Sequence, residues 1–281
     1  MANKVWFITG SSRGFGREWA AAALARGDKV AATARDTGSL DELVARHGEN
    51  VLALELDVTD RAAAFETVAH AHAHFGRLDV VVNNAGYGLF GAIEEVSEEQ
   101  ARAQIETNLF GALWVTQAAI PFLREQRSGH FIQVSSIGGI VAFPRIGLYH
   151  ASKWGLEGFS ESLAQELAEF GVYVTLVEPG GFDTEWGTGS AVRAKELPAY
   201  EAVHQQARER SSATLPKGKT AATAAALFTV VDAEIPPLRI FFGSPPLEIA
   251  RERYALRLAT WEQWKDVSIA AQGDPQPPSS A

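Results

Sequence analysis

Tyr149 and Lys153 stand four residues apart in the stretch Tyr149-His-Ala-Ser-Lys153. If a helix begins near Tyr149, that spacing puts both side chains on one face and within reach of each other. A phenol titrates near about 10 in water, too high for proton exchange at neutral pH. An adjacent ammonium favours the phenolate and is expected to lower that value. The pair is therefore a candidate acid/base. Thiol chemistry is excluded, because the chain has no cysteine, and disulfides, iron–sulfur clusters and cysteine–zinc sites go with it.

A second constellation lies near the start. An apolar run, Val5–Thr9, leads into Gly10-Ser11-Ser12-Arg13-Gly14-Phe15-Gly16 and then an alanine-rich helical stretch. Glycines let the backbone turn tightly and approach a pyrophosphate, and the helix start offers free N–H groups and partial positive charge to it. The bland reading is a glycine-rich turn without a ligand. The spacing, Gly-x3-Gly-x-Gly, also departs from the usual Gly-x-Gly-x-x-Gly.

Both constellations need a scaffold that brings distant residues to one edge. Apolar runs at Val5–Thr9, Lys29–Thr33, Val51–Leu56, Val80–Asn83, Gly129–Ser135, Val172–Val177 and Leu238–Phe242 read as buried strands. Helical stretches fall between them: Glu18–Arg26, Leu40–Arg46, Ala62–Phe75, and two long segments near Glu98–Arg124 and Ala151–Phe170. Such alternation predicts an α/β fold, a single Rossmann-type doubly wound parallel sheet of about seven strands with helices on both faces. One catalytic domain is expected over 1–268, with a polar substrate loop at about 184–219 that interrupts the alternation. The tail 269–281, rich in Pro, Ser and Gln, is expected to be disordered.

The 25 Lys and Arg against 34 Asp and Glu leave a net charge of −9, without the basic footprint of a nucleic-acid binder. No apolar stretch is long enough to span a bilayer, and no signal-peptide pattern precedes the first strand, so a cytoplasmic protein is expected. His70, His72 and His74 alternate on a helical stretch and cannot share one face, so no metal is assigned.

The motifs Thr9-Gly-x3-Gly-x-Gly16, Asn83-Asn84-Ala85-Gly86, Ser136, Tyr149-x3-Lys153 and Pro179-Gly180 occur in one order. Together, over about Lys4 to Thr184, they closely resemble the classical short-chain dehydrogenase/reductase family. The Ser136-Ile-Gly-Gly segment and the tail look similar to its hydroxysteroid and retinol dehydrogenase-like branch. The resemblance implies a catalytic tetrad of Asn108, Ser136, Tyr149 and Lys153. In it Ser136 would hydrogen-bond the substrate oxygen, Tyr149 would exchange its proton, and Lys153 would also bind the nicotinamide ribose. Asn108 would hold a water in a relay from Lys153 to solvent. Each has a bland alternative: packing for Tyr149, a solvated charge for Lys153, a strand-end cap for Ser136, backbone pairing at a helix bend for Asn108. Ser135 competes with Ser136, and the thirteen-residue spacing to Tyr149 favours Ser136.

The same resemblance places a nicotinamide cofactor on Gly10, Ser12, Arg13, Gly14, Phe15 and Gly16. Asp57 and Val58 would meet the adenine, with a helix N-cap the alternative for Asp57. Asn84, Ala85 and Gly86 would lie against the adenosine ribose. Pro179, Gly180, Phe182 and Thr184 would flank the nicotinamide amide. The position that usually carries an NAD-selecting acid is Ala34, followed by Arg35. Arg13 and Arg35 can clamp a 2′-phosphate with charge-assisted hydrogen bonds. NADP(H) is therefore expected, with NAD(H) the alternative in which Asp36 takes the ribose.

Tyr87, Leu89, Phe90, Val141, Phe143, Phe182 and Trp186 flank the motifs and are candidate substrate walls, with core packing the alternative for several. Phe143 and Trp186, beside Ser136 and Tyr149, are the named substrate residues. Three functions remain: an NADPH-dependent carbonyl reductase acting on a hydrophobic ketone, aldehyde or alcohol, an NAD(P)-dependent hydroxysteroid or retinol-type dehydrogenase working oxidatively, and a non-catalytic cofactor-sensing regulator. The resemblance also implies a homodimer or homotetramer paired through the two long helices, where apolar residues (Leu109, Leu113, Trp154, Phe159, Leu163) allow it.

Overall fold

The computed structural model describes residues 3–184, 186, 189–212 and 217–273. Seven strands form one parallel sheet: Val5–Ile8 (β1), Lys29–Ala34 (β2), Val51–Glu55 (β3), Val80–Asn83 (β4), Gly129–Val134 (β6), Val172–Pro179 (β7) and Arg239–Phe242 (β9). Their spatial order is β3-β2-β1-β4-β6-β7-β9. Two further two-residue strands, Leu89–Phe90 (β5) and Val192–Arg193 (β8), pair with each other in parallel.

The central strands have no polar face because both sides are covered. Side chains alternate between faces along a strand, and β1 shows it. Trp6 and Ile8 join a cluster with Trp19, Leu24, Leu40 and Leu227, while Val5 and Phe7 join another with Val68, Leu123, Phe131 and Leu163. The first cluster is roofed by Gly14–Ala25 (α1), Asp41–His47 (α2) and Thr223–Val231 (α8). The second is roofed by Arg61–Phe75 (α3), Gly111–Gln126 (α5) and Gly147–Leu167 (α6).

The long helix expected over Glu98–Arg124 is not continuous. Glu98–Ile105 (α4) passes through a π-helical turn, Glu106–Phe110, into α5. One inserted residue per turn re-aims side chains, and Asn108 sits inside that turn. Two helices start earlier than expected: α1 at Gly14, inside the glycine turn, and α6 at Gly147, before Tyr149. Beyond β9, Pro245–Gln263 (α9) and Lys265–Ala270 (α10) continue the chain. α9 begins with prolines in its first turn, where missing N–H groups are tolerated. The tail expected from 269 thus begins inside α10, and residues 274–281 lie outside the described residues.

The described part of the 184–219 segment holds β8, a short 3-10 turn at Pro198–Tyr200 and Glu201–Ser212 (α7). It is tied to the body by the β5–β8 pair and by Glu95, whose side chain is buried. Glu95 Oε1 accepts from the Leu197 N–H at 2.7 Å and pairs with His204 Nε2 at 2.7 Å, and Oε2 accepts from the Ala92 N–H at 2.7 Å.

Candidate active site

The strand order reverses between β1 and β4, and the crevice outside the carboxyl ends of such strands is where open α/β sheets bind ligands. Two residues weld this crevice. Thr9 Oγ1 accepts the N–H groups of Asn84 at 2.9 Å and Ala85 at 3.0 Å. Asn84 Nδ2 in return donates to the carbonyls of Thr9 at 2.9 Å and Gly10 at 3.0 Å. Gly10 adopts φ of +66°, open to glycine at little cost. At Gly16 a Cβ would collide with the Gly10 carbonyl and with Asn84 Nδ2. The turn is thus bare backbone, folded tightly over the start of α1.

That start is open to an anion. Its N-cap, Arg13, gives no side-chain cap, and no acidic residue stands in the first turn. Uncapped N–H groups at a helix start carry partial positive charge, which fits a pyrophosphate. Ser12 and Arg13 are exposed at the turn, and Phe15 stacks on Trp19 at 5.2 Å beneath it. At the end of β2, Ala34 is buried and Arg35 exposed. Asp36, the alternative ribose ligand, is committed to its own turn, where Oδ1 accepts the Gly38 N–H at 3.0 Å.

Asp57 is not the N-cap of α3. Asp60 is, accepting the Ala63 N–H at 3.0 Å, while Asp57 accepts the N–H of Thr59 at 3.0 Å and its hydroxyl at 2.8 Å. Asp57 stays exposed at the crevice, and Val58 is buried against Gly111. At the other end, Pro179 closes β7 and the Gly180 N–H donates to Phe242 at 2.9 Å. Thr184 Oγ1 accepts the Trp186 N–H at 3.3 Å.

The tetrad residues come together. Tyr149 and Lys153 lie on α6, Ser136 follows β6, and Asn108 lies in the π turn. The Ser136 hydroxyl lies close enough to the Tyr149 phenol to act on its acidity, and it accepts the Gly138 N–H at 3.0 Å. Lys153 Nζ lies 5.9 Å from the centre of the Tyr149 ring and donates to the Val134 carbonyl at 2.7 Å. Asn108 Nδ2 donates to the Tyr87 carbonyl at 3.0 Å and to Ser152 Oγ at 3.2 Å, and Oδ1 accepts the Tyr87 N–H at 3.1 Å. Asn108 therefore does satisfy backbone groups at a helix irregularity. Its Oδ1 keeps a second lone pair. The point where a Gly86 side chain would begin lies 3.1 Å from that oxygen and 3.8 Å from Lys153 Nζ, so bare Gly86 leaves a gap between them.

The electrostatics correct one expectation. The Tyr149 phenol is pushed up to about 12, because its burial penalises the phenolate more than the Ser136 hydroxyl helps it. Lys153 is pushed down to about 8 by its own burial, opposed by the charge of Glu157 one turn along α6. The ammonium sits over the ring, with its hydrogen bond given to Val134, and does not offset the phenol's desolvation. Tyr149 accordingly keeps its phenolic proton across the neutral range.

Among the expected substrate walls, Trp186 meets Tyr149 edge-on at 4.9 Å and lies tilted on Phe90 at 5.4 Å, so Trp186 bridges the phenol ring and Phe90. Leu89 and Val141 are core, each 1% exposed. Phe182 is a strut, packed on Phe15 at 5.2 Å and on Gly218. Phe143 is held by its backbone: its N–H donates to His150 Nε2 at 2.8 Å, while His150 Nδ1 bonds the Gly138 carbonyl at 2.8 Å. His150 thereby staples the loop carrying Ser136 and Phe143, a role the sequence reading missed. Its position directly after Tyr149 was the available signal. Burial holds His150 below its ordinary pKa, matching a neutral ring that donates from one nitrogen and accepts at the other.

Known proteins resemble the chain over most of its length. Residues 4–194 match the family model described as short chain dehydrogenase. An oxidoreductase, BOA17, of Botryotinia fuckeliana is 41% identical over 95% of this chain and 99% of its own length. A short-chain dehydrogenase from Streptomyces avermitilis superposes with a TM-score of 0.90 at 39% identity, covering 96% of this chain and 99% of that one. A short chain dehydrogenase from Burkholderia cenocepacia, solved in complex with NADP, gives a TM-score of 0.75 at 27% identity over 93% and 97% of the two chains. With the glycine turn, the π-turn asparagine and the serine–tyrosine–lysine cluster in place, the chain belongs to the short chain dehydrogenase family and is an NAD(P)-dependent oxidoreductase.

Proposed function

We propose that this protein is an NADPH-dependent carbonyl reductase acting on a hydrophobic ketone or aldehyde. The observation that carries the reading is the neutral Tyr149 phenol, set beside Ser136 and packed by Trp186, which itself lies on Phe90. A phenol that keeps its proton suits protonation of an oxygen more than abstraction of a proton from an alcohol. Preference for NADPH is supported by Ala34 in place of a carboxylate, by Asp36 being turned to Gly38, and by Arg13 and Arg35 beside the glycine turn. The NADP complex of the Burkholderia cenocepacia relative is consistent with it.

The nicotinamide ring, when bound, supplies the hydride to the carbonyl carbon. Ser136 orients the carbonyl oxygen, and Tyr149 gives that oxygen its phenolic proton as charge develops. Lys153, held as an ammonium at Val134, faces the resulting phenolate and favours it over the neutral state during turnover. Asn108 Oδ1 and Lys153 Nζ bound the gap over Gly86, which suits one water linking the two in a proton path to solvent. The described part of the 184–219 segment serves as a lid, with Trp186 packed on the Tyr149 ring.

The enzyme acts in the cytoplasm, in keeping with a cysteine-free chain. No described helix is long and apolar enough to cross a membrane. It assembles as a homodimer or homotetramer: Trp154 on α6 and Leu256, Trp261 and Trp264 near the end of the chain are exposed, and apolar area of this kind is covered in an assembly. NADPH consumption with a panel of ketones and aldehydes tests the reading. Turnover that favours NADPH over NADH is expected. Consumption of neither coenzyme with any carbonyl compound, alongside intact NADPH binding, would leave a sensing role instead.

A further inference from the structure

Glu157 stands one helical turn beyond Lys153 on α6, as Lys153 stands one turn beyond Tyr149. Its carboxylate is buried, 6% exposed, and Glu178 on β7 is buried still more deeply, at 1%. The two carboxyl groups are close enough for the charge of Glu157 to act on Glu178. One cation serves both. Arg239 on β9 donates through Nε to Glu157 Oε2 at 2.9 Å, and the same nitrogen lies 3.6 Å from Glu178 Oε1. Its other arm goes to Glu161 at 2.6 Å, so half of the guanidinium is taken by a third carboxylate.

With both acids ionised, this arrangement fails its own hydrogen-bond accounting. Oε1 of Glu157 and Oε1 of Glu178 are left without partners, and no solvent reaches them. The Ser135 and Ser160 hydroxyl oxygens are in the same state, and Gly139 packs directly over Ser135 Oγ and Glu157 Oε1. Two buried carboxylates beside half a guanidinium are more charge than the site can neutralise. A single proton shared between them removes the surplus charge and supplies the missing donor.

We propose that Glu157 and Glu178 are positioning residues that hold one proton between them, so that a single negative charge, resident on Glu157, keeps Lys153 in its ammonium form. The proton resides on Glu178, which has no full ion pair, and Glu157 stays charged on Arg239. Burial and the neighbouring Glu157 charge push Glu178 up to about 8, and the Glu157 charge acts to raise Lys153 against its own burial. The groups around the pair are Lys153 and Glu161 from α6, Arg239 from β9, and the Ser135 hydroxyl under Gly139. From α9, Tyr254 completes a cavity of about 230 Å³ that Glu178 and Arg239 also line, which gives the shared proton a way to exchange with water.

The inference rests on the tetrad reading for its link to Lys153, and the test separates the two. Thermal unfolding of the full chain between pH 5 and 9 addresses the shared proton alone. An acid whose native pKa lies above its unfolded value keeps its proton in the folded state, so its contribution to stability is lost as pH rises toward about 8. Wild type is expected to lose Tm over this range, and Glu178→Gln, which mimics the protonated acid, to flatten that loss. Equal slopes in the two proteins would overturn the shared proton. Titration of Lys153 in lysine-labelled protein, followed by NMR, addresses the coupling. Glu157→Gln is expected to lower the pH at which Lys153 loses its proton, with Glu157→Asp restoring most of the difference. If Glu157→Gln only lowers Tm and leaves that titration where it was, the pair merely braces β9 against α6 and the proposal fails. None of these readouts requires a substrate, so absence of carbonyl turnover would strike the reductase reading and leave this inference standing.

Discussion

The two halves of the crevice differ in how much room they leave. At the glycine turn the Thr9 and Asn84 side chains bind main-chain groups across the two strand ends, and Gly10 and Gly16 contribute only their lack of side chains. The described part of the 184–219 segment is held by the β5–β8 backbone pair and by side chains: Glu95 gathers Leu197, His204 and Ala92, and Trp186 leans on Tyr149. A turn closed over bare glycines tolerates almost no added atoms. A side-chain latch can be re-cut one residue at a time, which suits the substrate-side role proposed for that segment.

The contrast can be broken from either side. Gly16→Val should have the largest effect, since even a Cβ collides with the Gly10 carbonyl there. Overpacking strain of about 1–3 kcal/mol falls on the turn itself, so an NADPH affinity loss of up to about 150-fold is expected by fluorescence titration. Arg35→Ala should weaken NADPH by about 10- to 150-fold, as for a lost charged hydrogen bond, and leave NADH nearly unchanged. Equal loss for both coenzymes would show that Arg35 does not read the 2′-phosphate. Glu95→Ala leaves the Ala92 and Leu197 N–H groups without their acceptor. It should loosen the latch and raise KM about tenfold with NADPH affinity retained. A loss of NADPH affinity of the same size would mean the two halves are one unit.

The smallest effect expected is on pH dependence. Lys153 sits near about 8, lowered by burial below its unfolded value. Reductive turnover should be flat through neutrality and decline above about pH 8 as that charge is lost. A decline that begins only near pH 12 would assign the limb to Tyr149. The sign for stability is opposite to that of a raised acid: the neutral lysine is favoured in the native state, so this group's contribution grows as pH rises from about 8 toward the unfolded value.

The sheet was legible because each strand is an apolar run bounded by turn residues, and β4 was read to the residue. The glycine turn was legible from spacing, while Asn108, Ser136, Tyr149 and Lys153 were picked out through the family resemblance that the order of the motifs carries. Other features depended on contacts that spacing does not encode. The π turn at Glu106–Phe110 has no residue signature, because it arises from how α4 and α5 are packed. The helix α9 begins with Pro245-Pro246, a start signal present in the sequence that the sequence reading did not use. The Tyr149 pKa direction was read from one neighbour, Lys153, where burial of the ring decides it. Leu89 and Val141 looked like walls because they flank motifs, and only three-dimensional packing shows them to be core.

The most direct measurement is single-turnover oxidation of NADPH by Tyr149→Phe in the presence of a ketone that the wild type reduces. The substitution keeps the ring that Trp186 packs on and removes the one proton placed beside Ser136. A rate lower by about 10²- to 10⁴-fold, with NADPH affinity held, is expected for loss of a general acid. A wild-type rate would show that the proton comes from elsewhere.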